Sequence, residues 1–431
     1  MIAPDCPFEL GADHVGAELR AQRAAWGTGG WTRRRFLAGA GLVGVAALGS
    51  QLVTTRAAYA AAPTGAERTL VVIFLRGAAD GLHVLVPASA ERGADYLATV
   101  RRTLVPASPV DLGQGWGLNA HLQPLYDQLW ATGELAFVPA VSTPGVSRSH
   151  FQAQQFLERG GSDTLPSGWL DRLLATLGPG TTFRAVAQGN ATPVSLSGAE
   201  PSLTLRSIDT FKFPGWDQIR DRSATAVGQL YRGLGGPLGE DVPTTLAALD
   251  TAAAVRSAPA SSVTYPGGSF ASALKTVARL LRAEVGMQVT TIDVGGWDTH
   301  TDEARELGHL LDSFAVALQA FFADLGATRR KRVTVAVMTE FGRRVAVNGN
   351  AGADHGHGSL MWLLGGGLAG SGVYGKWSEL SAGVLDQGDV PGWNHPFDVL
   401  GEIAQKRLGA GSLTSVFPGH AVAPLGLATT I

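Results

Sequence analysis

The sequence predicts an α/β protein, a three-layer α/β/α sandwich with a mostly parallel central sheet. Three observations carry this. Uninterrupted β-branched runs at Thr69–Leu75, Gln288–Val294 and Val333–Thr339 read as strands buried on both faces. Segments of helical period separate them, which is the strand–helix–strand order of parallel crossover units. Acids, imidazoles and a serine recur just past the strand ends, where open α/β sheets place ligands.

Taken in order, the first run ends in Arg76-Gly-Ala-Ala-Asp80-Gly81, and Leu118–Leu129 has helical spacing. Glu134–Ala140 is a second short strand, followed by Ser147-Arg148-Ser149-His150-Phe151 and a helix over 152–157. Ser149 stands where a helix N-cap belongs, and Ser149-x-x-Gln152 fits a capping box. Gly168–Leu177 reads as a short helix and Phe183–Ala187 as a short strand. Residues 190–266 turn Pro/Gly/Ser/Thr-rich, with helical pieces near 224–233 and 243–255, and read as an elaboration over the sheet. Ser269–Val285 is amphipathic, with Phe270, Leu274, Val277, Leu280 and Leu281 on one face. Thr301–Leu325 repeats the pattern at Leu307, Leu310, Leu311, Phe314, Leu318 and Phe321. After Val333–Gly367 comes a Gly/Asp-rich loop, Tyr374–Trp393, and then Asn394-His395-Pro396 leads into a last helix near 397–407. No internal repeat is evident, and residues 63–431 read as one domain.

With 431 residues, 45 % of them hydrophobic, the chain can bury a large core. The 57 glycines make loops abundant. A formal charge of −2, with no basic block beyond the N-terminal arginines, argues against a nucleic-acid partner. Those arginines, Arg33-Arg34-Arg35 before Phe36-Leu37, precede an apolar run from Ala38 to Val53 and then Ala58-Tyr59-Ala60. This is the order of a secretory signal of twin-arginine type, with cleavage expected near Ala60 or Ala62. The apolar run is shorter than the ~20 residues of a membrane span, so no stable span is expected in the mature form. Residues 1–60 hold six of the 34 Lys+Arg and four of the 36 Asp+Glu, which leaves a charge near −4 on the remainder. The single cysteine, Cys6, lies in the leader, so the mature chain has neither disulfide nor thiol nucleophile. The expected address is periplasmic or extracellular, with the twin-arginine translocase as the partner during export.

The stretch Val333–Gly367 carries the densest chemistry: a strand ending in Thr339-Glu340, a Gly/Asn/Ala loop, Asp354-His355-Gly356-His357, and a second apolar run. Acid and imidazole groups separated only by glycine can turn several lone pairs to one point, as a divalent cation requires. Asp298 and His300, two apart after Gly295-Gly296, can reach the same cation if the backbone turns. Asp80 lies just past the first strand. Ser149, at a helix start with a positive dipole end, suits attack on a phosphate or sulfate, and Arg148 beside it can clamp the anion. Ser147 is the alternative nucleophile.

FLRGAADGL, SRSHF, GGWDTH, TEFGRR, DHGHG and the later GGG…VYG, behind a twin-arginine leader, resemble an exported bacterial family, domain of unknown function 1501. That family is placed in the alkaline phosphatase/sulfatase superfamily, and the resemblance covers most of residues 68–410. It implies an alkaline-phosphatase-like α/β/α fold, a metal site, a Ser or Thr nucleophile and hydrolysis or transfer of phosphate, sulfate or phosphonate esters. Asp80 matches the superfamily's Asp after the first strand, Ser149 its nucleophile, and Asp298 and His300 its Asp…His pair. The next motif falls on Thr339-Glu340-Phe341-Gly342, a departure: Glu340 can replace an oxygen ligand, but Phe341 cannot replace histidine. The last histidine falls on His355 or His357, so one or two divalent metal ions are expected, one before two, with the identity among Zn, Mn, Ca and Mg open. Formylglycine sulfatase chemistry is disfavoured, because Ser142-Thr-Pro144-Gly-Val146 has valine where that motif has arginine. The expected substrate is a small-molecule or polysaccharide ester, phosphate before sulfate. The alternative is a non-catalytic exported protein that binds a polysaccharide or a partner.

Overall fold

A computed structural model describes residues 68–430, apart from 146, 214–216 and 234–236. The expected leader and its cleavage site lie outside the described residues. The strands are β1 (Thr69–Leu75), β2 (Leu85–Pro87), β3 (Val110–Gly113), β4 (Trp116–Leu118), β5 (Leu135–Val141) and β6 (Ala185–Gln188). They continue with β7 (Leu203–Leu205), β8 (Val289–Val294), β9 (Val333–Thr339), β10 (Ser359–Gly365) and β11 (Gly372–Val373). The helices are α1 (Gly81–Val84), α2 (Ala94–Val100), α3 (Gln123–Leu129), α4 (His150–Arg159), α5 (Trp169–Thr176) and α6 (Asp217–Tyr231). After them come α7 (Pro237–Ser257), α8 (Ser269–Arg282), α9 (Glu303–Arg330), α10 (Pro396–Leu408) and α11 (Leu413–Val416).

Among the described residues, eight strands form one sheet in the order β11-β5-β10-β9-β1-β8-β6-β7, and β2-β4-β3 form a small antiparallel sheet. β1 sits between β9 and β8 and runs parallel to both. Its alternate residues enter two separate cores: Val71, Ile73 and Leu75 one, Leu70, Val72 and Phe74 the other. The first core holds Leu125 and Leu129 of α3, Leu274 and Leu280 of α8, and Leu307, Phe314 and Phe321 of α9. The second holds Leu157 of α4, Leu170 and Leu173 of α5, and Phe397 and Ile403 of α10. Helices therefore cover both faces, which is why the sheet strands read as continuous apolar runs rather than alternating ones. This is the α/β/α architecture expected.

Some particulars differ. β10 runs antiparallel to both β9 and β5, so the sheet is mixed. The elaboration contributes β7 to the sheet edge, paired with β6, before its two helices α6 and α7, which start earlier than expected. The helix expected to end at Leu325 is interrupted at Gly326 (φ +67°) and resumes to Arg330. The direction of β10 matters for the site. Because it folds back beside β9, the loop 340–358 begins and ends at one edge of the sheet. At that edge the carboxyl ends of β1, β5, β8 and β9 also emerge.

Candidate functional site

Three loops meet over the end of β1. After β8, Gly295-Gly296-Trp297 brings Asp298 and His300 across the sheet edge. The crossing is so close that a Cβ on Gly77 (φ +123°), just past β1, would lie 2.3 Å from the Asp298 amide nitrogen. After β9, the two limbs of loop 340–358 pair through Arg343 and His355, and Gly342 donates its N–H to the His357 carbonyl at 2.8 Å. A Cβ on Gly342 would lie 1.9 Å from the Gly358 carbonyl oxygen, so only glycine lets the limbs close. After β5, the chain enters α4 with His150 as its first residue.

The result is a tight cluster around the Asp298 carboxylate. Its Oδ1 lies 3.0 Å from His300 Nε2 and 3.0 Å from His355 Nε2, and those two nitrogens are 3.1 Å apart. Arg343 donates from Nη2 to the same oxygen at 2.7 Å. His150 Nε2 lies 3.4 Å from the second oxygen, Asp298 Oδ2. One ligand atom each from His150, Asp298 and His355 falls within 4.8 Å of the others.

Electrostatics suit a cation. Burial acts to raise the Asp298 pKa, but hydrogen bonds from His355 and Arg343, with the charges of Arg343 and His150, outweigh it and hold the group at about 2. His355 Nδ1 lies 3.2 Å from the Arg148 carbonyl, which can only accept, so that nitrogen carries the proton. In that tautomer Nε2, 3.0 Å from Asp298 Oδ1, is the nitrogen that can offer a lone pair to a cation shared with the carboxylate. The 3.0–3.1 Å spacings match neighbouring donors around an ion with bonds of about 2.0–2.2 Å.

Arg343 is the keystone. Its buried guanidinium donates to the carbonyls of Ala78 (2.7 Å), Gly77 (2.6 Å), Trp297 (3.2 Å) and Ala353 (3.0 Å) as well as to Asp298. One side chain thereby joins the loops after β1, β8 and β9.

Glu340, expected as a metal ligand, is turned elsewhere. Its Oε1 accepts from His150 Nδ1 at 2.7 Å, Gly77 N at 2.9 Å and Gln154 Nε2 at 2.9 Å. Phe341 is buried with ring centroids 5.1 Å from His150 and 5.0 Å from His355, a wall for both imidazoles. Burial acts to raise the Glu340 pKa, yet hydrogen bonds from Gln154, its own backbone, His150 and Gly77 hold it below the usual range. The unfolded chain titrates this carboxyl near ~4.3. Its stabilising contribution is therefore complete above that pH and is lost as pH falls through the lower folded value. Acid unfolding followed by circular dichroism should show stability dropping below about pH 4, and Glu340→Gln should flatten that limb. An unchanged acid limb in the variant counts against this account.

The structure does not bring every expected residue to the cluster. Asp80 is buried, caps α1 by accepting from Leu82 N (3.0 Å) and His83 N (3.3 Å), and forms an ion pair with Arg101. Its lone pairs are committed below the site. Asp354 is well exposed and stands behind His300, its Oδ1 3.6 Å from His300 Nδ1, while Asn348 donates to it at 3.0 Å. His357 points toward the loop after β5, with Nε2 3.4 Å from the Thr143 carbonyl. Arg148 directs its guanidinium to buried Asp389 at 2.5 Å and only its carbonyl to His355. His395 caps α10 by accepting from Phe397 N at 3.2 Å and stacks on His420 at 3.9 Å; burial, then His420, pushes it down to about 4.

Ser149 is the N-cap of α4, but its side chain makes no capping bond. Ser147 instead accepts from Ser149 N at 3.2 Å, a turn before the helix, and donates to Gln152 Oε1 at 2.7 Å. The expected capping box does not form, because the Gln152 side chain is taken by Ser147. Ser149 itself lies between Arg148, whose carbonyl orients His355, and His150. Sequence reasoning missed His150 and Arg343, although both stand inside the quoted motifs SRSHF and TEFGRR. The usable signal was the position of His150 on the first turn after a candidate nucleophile.

Among curated proteins, none matches this chain. Of solved structures, the chain is similar to the alkaline phosphatase of the Antarctic bacterium TAB5, with 8 % identity and a TM-score of 0.29 over 71 % of this chain and 94 % of that one. It is also similar to the PsFucS1 sulfatase of Pseudoalteromonas sp., with 12 % identity and a TM-score of 0.34 over 93 % and 78 %. The family described as "Protein of unknown function (DUF1501)" matches residues 130–391, which include His150, Asp298, His300, Glu340, Arg343 and His355, and the chain belongs to that family.

Proposed function

We propose that this chain is an exported, metal-dependent hydrolase of phosphate esters, with sulfate esters the less favoured substrate. The observation that carries the proposal is the triangle of Asp298 Oδ1, His300 Nε2 and His355 Nε2, held by an arginine and built from an ionised carboxylate and imidazole nitrogens. Those three residues would hold a divalent cation, which supplies charge neutralisation on the ester oxygens and activation of a nucleophile. Ser149 offers its hydroxyl at the start of α4, where free backbone N–H groups favour an anionic group. Arg148 orients His355 through its carbonyl, and Arg343 fixes the Asp298 carboxylate. Export rests on the twin-arginine pattern of residues 32–60 and places the activity in the periplasm or outside the cell.

A second reading, a non-catalytic binding protein, is favoured by one observation: Arg343 Nη2 pairs with Asp298 Oδ1 at 2.7 Å and supplies the carboxylate with a cation from the chain itself. Metal analysis of the purified mature protein separates the two. At least ~0.5 equivalents of bound divalent metal, and a lower melting temperature after chelation, are expected of the hydrolase. Metal-free protein with an unchanged melt on chelation removes that reading. With metal present, the wild type is screened against aryl phosphate, phosphodiester and aryl sulfate; faster turnover of a phosphate ester than of the sulfate is expected, and Ser149→Ala should lose ~100-fold or more. Equal turnover by the variant takes Ser149 out of the nucleophile role.

A further inference from the structure

We infer that His150 and Glu340 complete the metal centre, His150 as an imidazole donor and Glu340 as the positioning carboxylate that aims it. The inference rests on the metal reading above and adds a donor from α4. Glu340 Oε1 accepts three N–H groups, and a carboxylate so placed fixes the proton of His150 on Nδ1, at 2.7 Å. Nε2 is then the nitrogen with the lone pair. That nitrogen is buried and makes no hydrogen bond, although an unsatisfied buried polar atom costs free energy. It lies 3.4 Å from Asp298 Oδ2, and a ligand atom of His355 falls within 4.8 Å of both residues.

The ring has little freedom to turn away. Phe341 packs at 5.1 Å and His355 edge-on at 4.6 Å, while the Nδ1 bond sets its rotation. A histidine kept only to bind Glu340 would leave its second nitrogen to water or a carbonyl. Here it is aimed at a carboxylate that already sits among two other imidazoles. Metal-ligating histidines characteristically donate their other N–H to a carboxylate, which fixes the tautomer and the ring. The pair also accounts for Phe341: the loop after β9 supplies the supporting acid and an aromatic wall, and the imidazole arrives from α4 instead.

The test is titration of metal-free, full-length mature protein with Zn²⁺ and Co²⁺, with X-ray absorption counting imidazole ligands. Three imidazoles are expected in the wild type, from His150, His300 and His355. His150→Ala should show two and bind at least ~10-fold more weakly, while Glu340→Gln keeps three and weakens binding by ~10–100-fold. Melting curves of the metal-free variants check that they fold, and His150→Gln provides a second variant of similar size. An unchanged imidazole count in both His150 variants, or two imidazoles in the wild type, overturns the assignment of His150 and leaves the metal reading standing. Affinity of Glu340→Gln within threefold of wild type overturns the role of Glu340. Less than ~0.5 equivalents of metal in the wild type removes the hydrolase reading together with this one.

Discussion

Arg343→Met is expected to destabilise the protein by about 3–5 kcal/mol, the range found when one partner of a buried, hydrogen-bonded charge is removed. The guanidinium is about 1 % exposed and satisfies four carbonyls from the loops after β1, β8 and β9. Methionine fills the volume of the stem but leaves those oxygens buried without donors, at about 1–3 kcal/mol each before relaxation. Arg343→Lys should recover little, because one ammonium cannot reproduce a planar fork that reaches separate loops. Chemical denaturation measures this directly. A loss under ~1 kcal/mol for the Met variant would mean that the loops hold one another without the arginine.

Asp298→Ala is expected to abolish metal binding, a loss above the ~10–100-fold typical of supporting residues. Every close donor in the cluster is measured from this carboxylate, and its pKa near 2 keeps it ionised across the working pH range. The effect on folding should be smaller than that of Arg343→Met, because the carboxylate is about half exposed and the buried guanidinium keeps its four carbonyl acceptors when the carboxylate is removed. Calorimetric titration of the metal-free variant, beside its denaturation curve, separates the two effects. Binding within tenfold of wild type would place the ion elsewhere.

These two residues show what was legible in the chain and what was not. Asp298 and His300 stand two apart behind paired glycines at a strand end, a local pattern, and the structure brings both to the cluster. The strands themselves were visible because burial on both faces demands continuous apolar runs. Arg343 could not be recognised from its neighbours, since its partners come from residues 77, 78, 297, 298, 300 and 353. Glu340 was noticed but cast in another part, because its imidazole partner lies 190 residues earlier. Asp80 occupies the place a ligand would take, and only the fold shows that Arg101 claims it. Strand direction was hidden for a related reason. The apolar run of β10 reads the same either way, and its reversal is settled by β9 and β5 on its two sides.

That reversal has a practical meaning. A loop that leaves and re-enters the sheet beside one strand end is still wired to its surroundings. The Asn350 and Ala351 carbonyls accept from Asp302 N and Glu303 N at the start of α9, and the Ala353 carbonyl accepts from Arg343. The rim of the site and the longest helix thus share one set of backbone bonds, and variants with new selectivity are best sought by changing side chains of this segment while its main-chain bonds are kept.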